Sequence, residues 1–411
     1  MVLDQADIVV VGGGIVGLTT AHALKQRGFD VLVVEQRFTA FGASGRNSGG
    51  IWVQTVRGGT ELQLARQGAE LYERFLDDLG DTFELRRDGG LIYFETEDQQ
   101  KVFADYVADR REHGVQAELI SAAEARKLSS GVPASAIGAV FSGDDAQVNT
   151  AKFTRALGDA CKRRGVRIYE NTPVLGMTRH GDAVTGVRTV RGDIAAGGVV
   201  WCTGAWASTL SSEGIDLPIT PIRVGMLMTQ AVSRQVHVVT RGPGGVENFG
   251  ALSSLPSFEP TLFATPGLEE GSHLTYEDIV TQNAEGNIII GHTHDAAQSL
   301  NPHITVEATS LMIQSLQRRD PSFRTLGVTG LWAGLVGVTA DRLPIIDKVD
   351  GLYVNSGHVA GTASGPLAGE LMAQLVAGRT RPSRWNRSLA TAKRSRSRCS
   401  ETGLPDARES Q

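Results

Sequence analysis

Cysteine is scarce in this 411-residue chain: three residues, Cys161, Cys202 and Cys399, far apart and with no CxxC pair. That argues against a disulfide framework or a cysteine zinc site, and it suits a reducing compartment. Charge of one sign is also lacking. A net charge of −5 is too small to suggest nucleic acid as a partner. Long apolar runs are absent as well. The longest, around residues 8 to 18, is broken by glycines and is shorter than the roughly 18 to 20 residues of a membrane span. The first residues, Met1 to Asp7, carry no basic segment before an apolar one and no cleavage site. A cytoplasmic protein without a transmembrane segment is the expectation. No internal repeat is apparent.

What is present is a large core and much glycine: 41% of residues are hydrophobic and 49 are Gly. The length allows two sizeable domains. The tail differs from the rest. From Arg379 to Arg398 there are eight basic residues and no acidic one, which by composition is a solvated, disordered terminus. A contact with an anionic partner is the alternative.

The N-terminus gives the clearest local signal. Ile8 to Val11 is a short β-branched apolar run, hence a buried strand. It leads into Gly12-Gly13-Gly14-Ile15-Val16-Gly17, and Ile15, Leu18, Ala21 and Leu24 then follow a helical period up to Gly28. A second strand, Val31 to Val34, ends at Glu35, Gln36 and Arg37. Gly12 permits the tight turn. Gly14 lets N–H groups approach a pyrophosphate at the positive end of the helix. Gly17 lets helix and strand pack closely, and Glu35 accepts hydrogen bonds from ribose hydroxyls. The pattern points to a dinucleotide and does not choose between NAD and FAD. The segment that follows, Ser44, Arg46, Asn47, Ser48, Gly49, Gly50 and Ile51, is small and polar. It suits a loop that wraps a pyrophosphate and reaches a flat ring, though such residues also make ordinary loops.

"VVVGGGIVGLTTAHALKQRGFDVLVVEQ" followed by "GASGRNSGG" resembles the D-amino-acid oxidase superfamily of FAD enzymes. This group includes glycine oxidase, sarcosine oxidase, D-amino-acid dehydrogenase and the flavoprotein subunits of opine oxidase and hydrogen cyanide synthase. Three later segments agree, and the resemblance covers about residues 7 to 379. "VNTAKFTRALGDACKRRGVRIYENTPVLGM" matches the part where a valine, here Val174, meets the adenine. "VVWCTGAWAS" matches the strand that ends at the flavin, with Thr203, Gly204 and Trp206. "WAGLVGVTADRLPIID" matches the C-terminal flavin segment, with Gly334 beside the ring and Trp332 toward the substrate domain. The helix entry Gly357, His358, Val359, Ala360, Gly361 and Thr362 follows it.

The resemblance implies an α/β fold: a Rossmann-like FAD domain of the glutathione-reductase type, with an inserted α+β substrate domain on a mainly antiparallel sheet. The FAD domain is expected at 1–80, 145–212 and 328–380, the substrate domain at 81–144 and 213–327, and the tail at 381–411. The implied chemistry is hydride transfer to flavin N5 from the carbon beside an amine, giving an imine that water hydrolyses. Electrons then pass to oxygen or to another acceptor. No side-chain base is required, so the catalytic residues are left unknown.

Departures from the family pattern narrow this. Relatives carry a carboxylate-binding arginine where this chain has Val336, and a lysine serving the same purpose where it has Gly361. Arg57, Arg223 or Arg342 are alternative sources of charge. The cysteine that bonds flavin in sarcosine oxidase is matched by Gly334, so FAD is expected to be noncovalent. A lysine that activates oxygen is matched by Ile289, which leaves a dehydrogenase open. His292 and His294 alternate on a strand and share a face. Lacking a third ligand, they read as cavity lining or as satisfied structural histidines rather than a metal site. The expected substrate is a small amine or amino-acid derivative. The alternatives are an electron-transfer subunit of a heteromeric dehydrogenase, with a partner subunit, and a tailoring oxidase for a larger substrate without a free carboxylate.

Overall fold

The computed structural model describes residues 2–378 other than 266, 269–271 and 297–299. The basic tail expected at 381–411 lies outside the described residues. Two eight-stranded sheets organise the chain. The first is built around the strand Val2–Val11, which pairs in parallel with Val31–Val34 on one side and Gly192–Trp201 on the other. Arg167–Tyr169 and Leu352–Ser356 extend it in parallel, and Ile345–Val349 closes one edge antiparallel. Val10, Val33 and Val200 face one apolar core, shared with the helices Ile15–Gln26, Thr150–Arg163 and Gly361–Val376. Val9, Val11, Leu32 and Val199 face the other, shared with Leu210 and Ile219. Burial on both faces explains the unbroken β-branched run, since alternation is needed only where one face meets water. Each such side chain contributes about 1.5–3 kcal/mol.

The second sheet runs in the order Val328–Val338, Thr220–Ala231, Asn287–Asp295, Leu274–Gln282, Val239–Arg241, Gly90–Phe94, Gly138–Ser142, Glu118–Ser121. Every neighbouring pair is antiparallel except Val239–Arg241 with Gly90–Phe94. One boundary differs from the sequence expectation. Val328–Val338 was expected with the FAD domain, yet it pairs with Thr220–Ala231 along ten register positions and forms the edge of the second sheet. Its long partner strand offers a full ladder of hydrogen bonds there, whereas the first sheet already ends at Ile345–Val349. No helix among the described residues is long and apolar enough to cross a membrane.

Helix Thr60–Leu79 buttresses the region between the sheets. Tyr72 is fully buried against Phe83 and Phe153, and its hydroxyl donates to the carbonyl of Thr362 at 2.7 Å. The entry of the last helix is thereby tied to a rigid aromatic core. His358 completes the anchorage, with Nε2 2.9 Å from Asn355 Oδ1 and Nδ1 3.3 Å from Ser364 Oγ.

Candidate active site

A continuous cleft begins at the turn after the first strand. Its first part, of about 210 Å³, is lined by Gly12, Gly14, Ile15, Val16, Glu35, Gln36, Val174, Thr203, Gly204 and Trp206 among others. Gly17 does not line it. A Cβ there would stand 1.9 Å from the carbonyl oxygen of Gly12, so only glycine lets the helix sit this close to the turn after the strand. Glu35 is buried at the cleft wall and accepts from the N–H of Gly13 (2.7 Å) and of Arg37 (2.9 Å). Burial raises its pKa above the ordinary carboxylate value, against those hydrogen bonds. Arg37 contributes its backbone to this turn and does not line the cleft. Ser44 Oγ accepts from Ile15 N at 2.9 Å, which ties the second loop to the helix start.

Ile15, Ser44, Val336, His358 and Gly361 line both this part and a second one of about 380 Å³. The loop residues Arg46, Asn47, Ser48, Gly49 and Gly50 meet the helix entry Val359, Ala360 and Thr362 there. The opposite wall is one face of the second sheet. Gly334, Val224, His294 and Thr275 stand side by side in one row across four strands. Along this face the lining changes character. Val336, Val338, Ile222, Val224 and Met226 form an apolar end, and His292, His294, Glu277 and Arg241 a polar one.

The glycines of "WAGLVGV" press on backbone. A Cβ on Gly334 would come 3.0 Å from the carbonyl oxygen of Arg46, and one on Gly337 3.1 Å from that of Gly204. The strand is thus clamped against the two loops that wall the cleft. Arg46 Nη1 closes the clamp by donating to Ala333 O at 3.1 Å.

Other expected residues fall elsewhere. Ile51 is wholly buried in the core. Arg223 is paired with Asp295 and does not line the cleft. Arg57 is bonded to Glu61 at 3.1 Å and to the carbonyl of Asp341 at 2.6 Å, also away from the lining. Trp332 does not line it either, and its indole N–H is buried without a partner among the described residues. Gly357 sits behind His358 with a φ of 81°. Arg342 does line the cleft, with its Nε 3.4 Å from Glu61.

Sequence reasoning passed over Arg241 and Glu277. Arg241 is 6% exposed. Its Nη1 donates to Glu277 Oε2 at 2.9 Å, and its guanidinium lies 4.1 Å from the Trp52 ring and 4.3 Å from that of Phe249. Glu277 also faces His292 Nδ1 at 3.9 Å and His294 Nε2 at 3.7 Å. It is thus the third potential ligand that the H-x-H pattern lacked, with donor atoms of all three within 4.8 Å of one another. The adjacent guanidinium already supplies Glu277 with a cation. Burial raises the Glu277 carboxyl, but nearby positive charge, Arg241 foremost, outweighs it and holds it below its usual value. Burial lowers His292 to about 3 and His294 in the same direction, so both rings are neutral near pH 7. His292 Nε2 lies 2.9 Å from Ser48 Oγ, which joins the polar end to the Gly-rich loop.

The cleft fits FAD. Its first part joins the acid after the second strand to the helix start, as a bound dinucleotide requires. Its second part leaves space between a glycine-lined loop and a helix N-terminus. Comparison with known proteins agrees. The family model described as DAO, FAD dependent oxidoreductase, matches residues 7–375. Glycine oxidase of Pseudomonas aeruginosa is 26% identical, over 90% of this chain and 95% of that protein. Hydrogen cyanide synthase subunit HcnC of Pseudomonas protegens is 24% identical, over 91% and 93%. The solved structure of L-proline dehydrogenase from P. horikoshii superposes with a TM-score of 0.78 at 23% identity, over 95% of this chain and 99% of that one. Taken with the cradle and the cleft, the match over nearly the whole chain means that this protein belongs to the DAO family of FAD-dependent oxidoreductases.

Proposed function

We propose that this enzyme oxidises the C–N bond of an amine or amino-acid derivative, giving an imine that water hydrolyses to a carbonyl compound. The observation that carries this is the meeting, in one cleft, of the Gly-rich loop, the entry of helix Gly361–Val376 and a half-apolar, half-polar sheet face. Bound FAD supplies the hydride acceptor. The loop from Ser44 to Gly50 and the segment from His358 to Thr362 are the proposed holders of the flavin end. Gly12, Gly14, Glu35 and Val174 are those of the adenosine and pyrophosphate end. The first turn of Gly361–Val376 has N–H groups with no intrahelical partner, and its positive end suits an electron-rich ring edge.

The sheet face then aligns the substrate. Val224, Met226 and Val336 offer an apolar surface, and neutral His292 and His294 offer ring nitrogens without repelling a positively charged amine. FAD is held noncovalently in this reading. Position 334 is glycine, and the Cys202 thiol is buried, with its pKa pushed up to about 12. The similarity to a protein named as a subunit supports a partner as one possible electron acceptor beside oxygen. The test is product analysis: one carbonyl compound formed per flavin reduced supports the reaction, and flavin reduction without any carbonyl product overturns it.

A further inference from the structure

We propose that Arg241 is the anion anchor of the substrate cleft, so that the substrate is a carboxylate-bearing amine whose remaining part points from Arg241 along the sheet face toward the aliphatic end. This rests on the C–N oxidation reading above and adds the substrate class to it. A buried guanidinium demands partners for five N–H donors. In Arg241 one nitrogen donates to Glu277, and Nε has no partner among the described residues. The side chain is held by two aromatic rings and one carboxylate, so little freedom remains to be lost when an anion binds.

The surroundings also favour an anion. The described lining of this part of the cleft contains three arginines, Arg46, Arg241 and Arg342, against one carboxylate, Glu277. Desolvation in a cleft strengthens such an attraction. Val336 stands where an arginine was expected, on the edge strand, whereas Arg241 is on the fifth strand of the same sheet. At about 4.8 Å per strand the two positions are roughly 19 Å apart along the sheet. A carboxylate drawn to Arg241 lies across the polar end, and the rest of the substrate points toward the apolar end.

Benzoate and its neutral analogue benzamide serve as probes, titrated into the FAD-loaded protein and followed by the flavin absorbance difference spectrum. Benzoate is expected to bind at least about tenfold more tightly than benzamide, as a charge-assisted pair allows. Arg241→Met should abolish that preference and Arg241→Lys should keep part of it. Because Arg241→Met leaves Glu277 buried and uncompensated, the double variant Arg241→Met/Glu277→Gln is the decisive one. It should retain FAD and show no preference. Equal binding of the two probes to the wild type, no response to benzoate, or a preference that survives in the double variant overturns the proposal. The titration needs no turnover. If benzoate is preferred but no amine reduces the flavin, the anion anchor stands and the proposed reaction fails.

Discussion

Val336 and Arg241 line the same cleft from opposite parts of one sheet face, the first on the edge strand and the second four strands away. Between them the lining passes from aliphatic side chains through two neutral histidines to an ion pair. Substrate preference should therefore respond to charge added at either end.

Val336→Arg puts a guanidinium at the apolar end of the cleft, beside Ile222 in the register. The expected outcome is a shift in kcat/KM toward small amines that carry a carboxylate, relative to uncharged amines of similar size. An unchanged substrate ranking would count against the assignment of this face as the substrate wall.

Gly17→Ala forces a methyl group to within 1.9 Å of the Gly12 carbonyl oxygen, a backbone atom that no side-chain rotation can move away. Helix Ile15–Gln26 must move off its strand, at a cost of about 1–3 kcal/mol. The purified variant should show a lower thermal midpoint and a clearly lower ratio of absorbance at the flavin band to that of the protein. A wild-type ratio would contradict the packing role.

Acid precipitation distinguishes the two modes of flavin attachment. The flavin absorbance should remain in the supernatant. Colour retained in the washed pellet would mean a covalent bond and would remove the noncovalent assignment.

Stability should fall as pH drops below about 6.5. Burial lowers His358 to about 4 and His292 to about 3 in the folded state. Between those values and 6.5 the unfolded chain binds more protons, so acid favours unfolding. Asp145 acts in the opposite sense. Burial raises it to about 6, so its contribution is present below its ordinary value of 3.8 and is lost as pH rises through 6. Two histidines outweigh one aspartate, and thermal midpoints measured from pH 7 to pH 4.5 should decline. A rising midpoint over that range would contradict the buried, neutral state of these rings.

Local spacing made the dinucleotide cradle legible. Strand, glycines, helix, strand and Glu35 all lie within thirty or so residues, and each feature is dictated by its neighbours in sequence. Arg241 was not. Its strand, Val239–Arg241, is three residues long, too short to show a period, and its partners Trp52, Phe249 and Glu277 meet it only through the fold. Glu277 sits where the strand ladder shifts register between Tyr276 and Ile279, so simple alternation did not mark its side chain as facing the cleft. Val328–Val338 pairs with Thr220–Ala231 although 328–380 was expected with the FAD domain, because an apolar, glycine-broken run does not reveal which distant strand it pairs with.

Anaerobic mixing of the FAD-loaded protein with a panel of amino acids, N-alkyl amino acids, opines and simple amines tests the central claim most directly. At least one carboxylate-bearing amine should bleach the flavin band at a rate that saturates with its concentration. A band left unchanged by every member of the panel would contradict the proposed oxidation of a C–N bond.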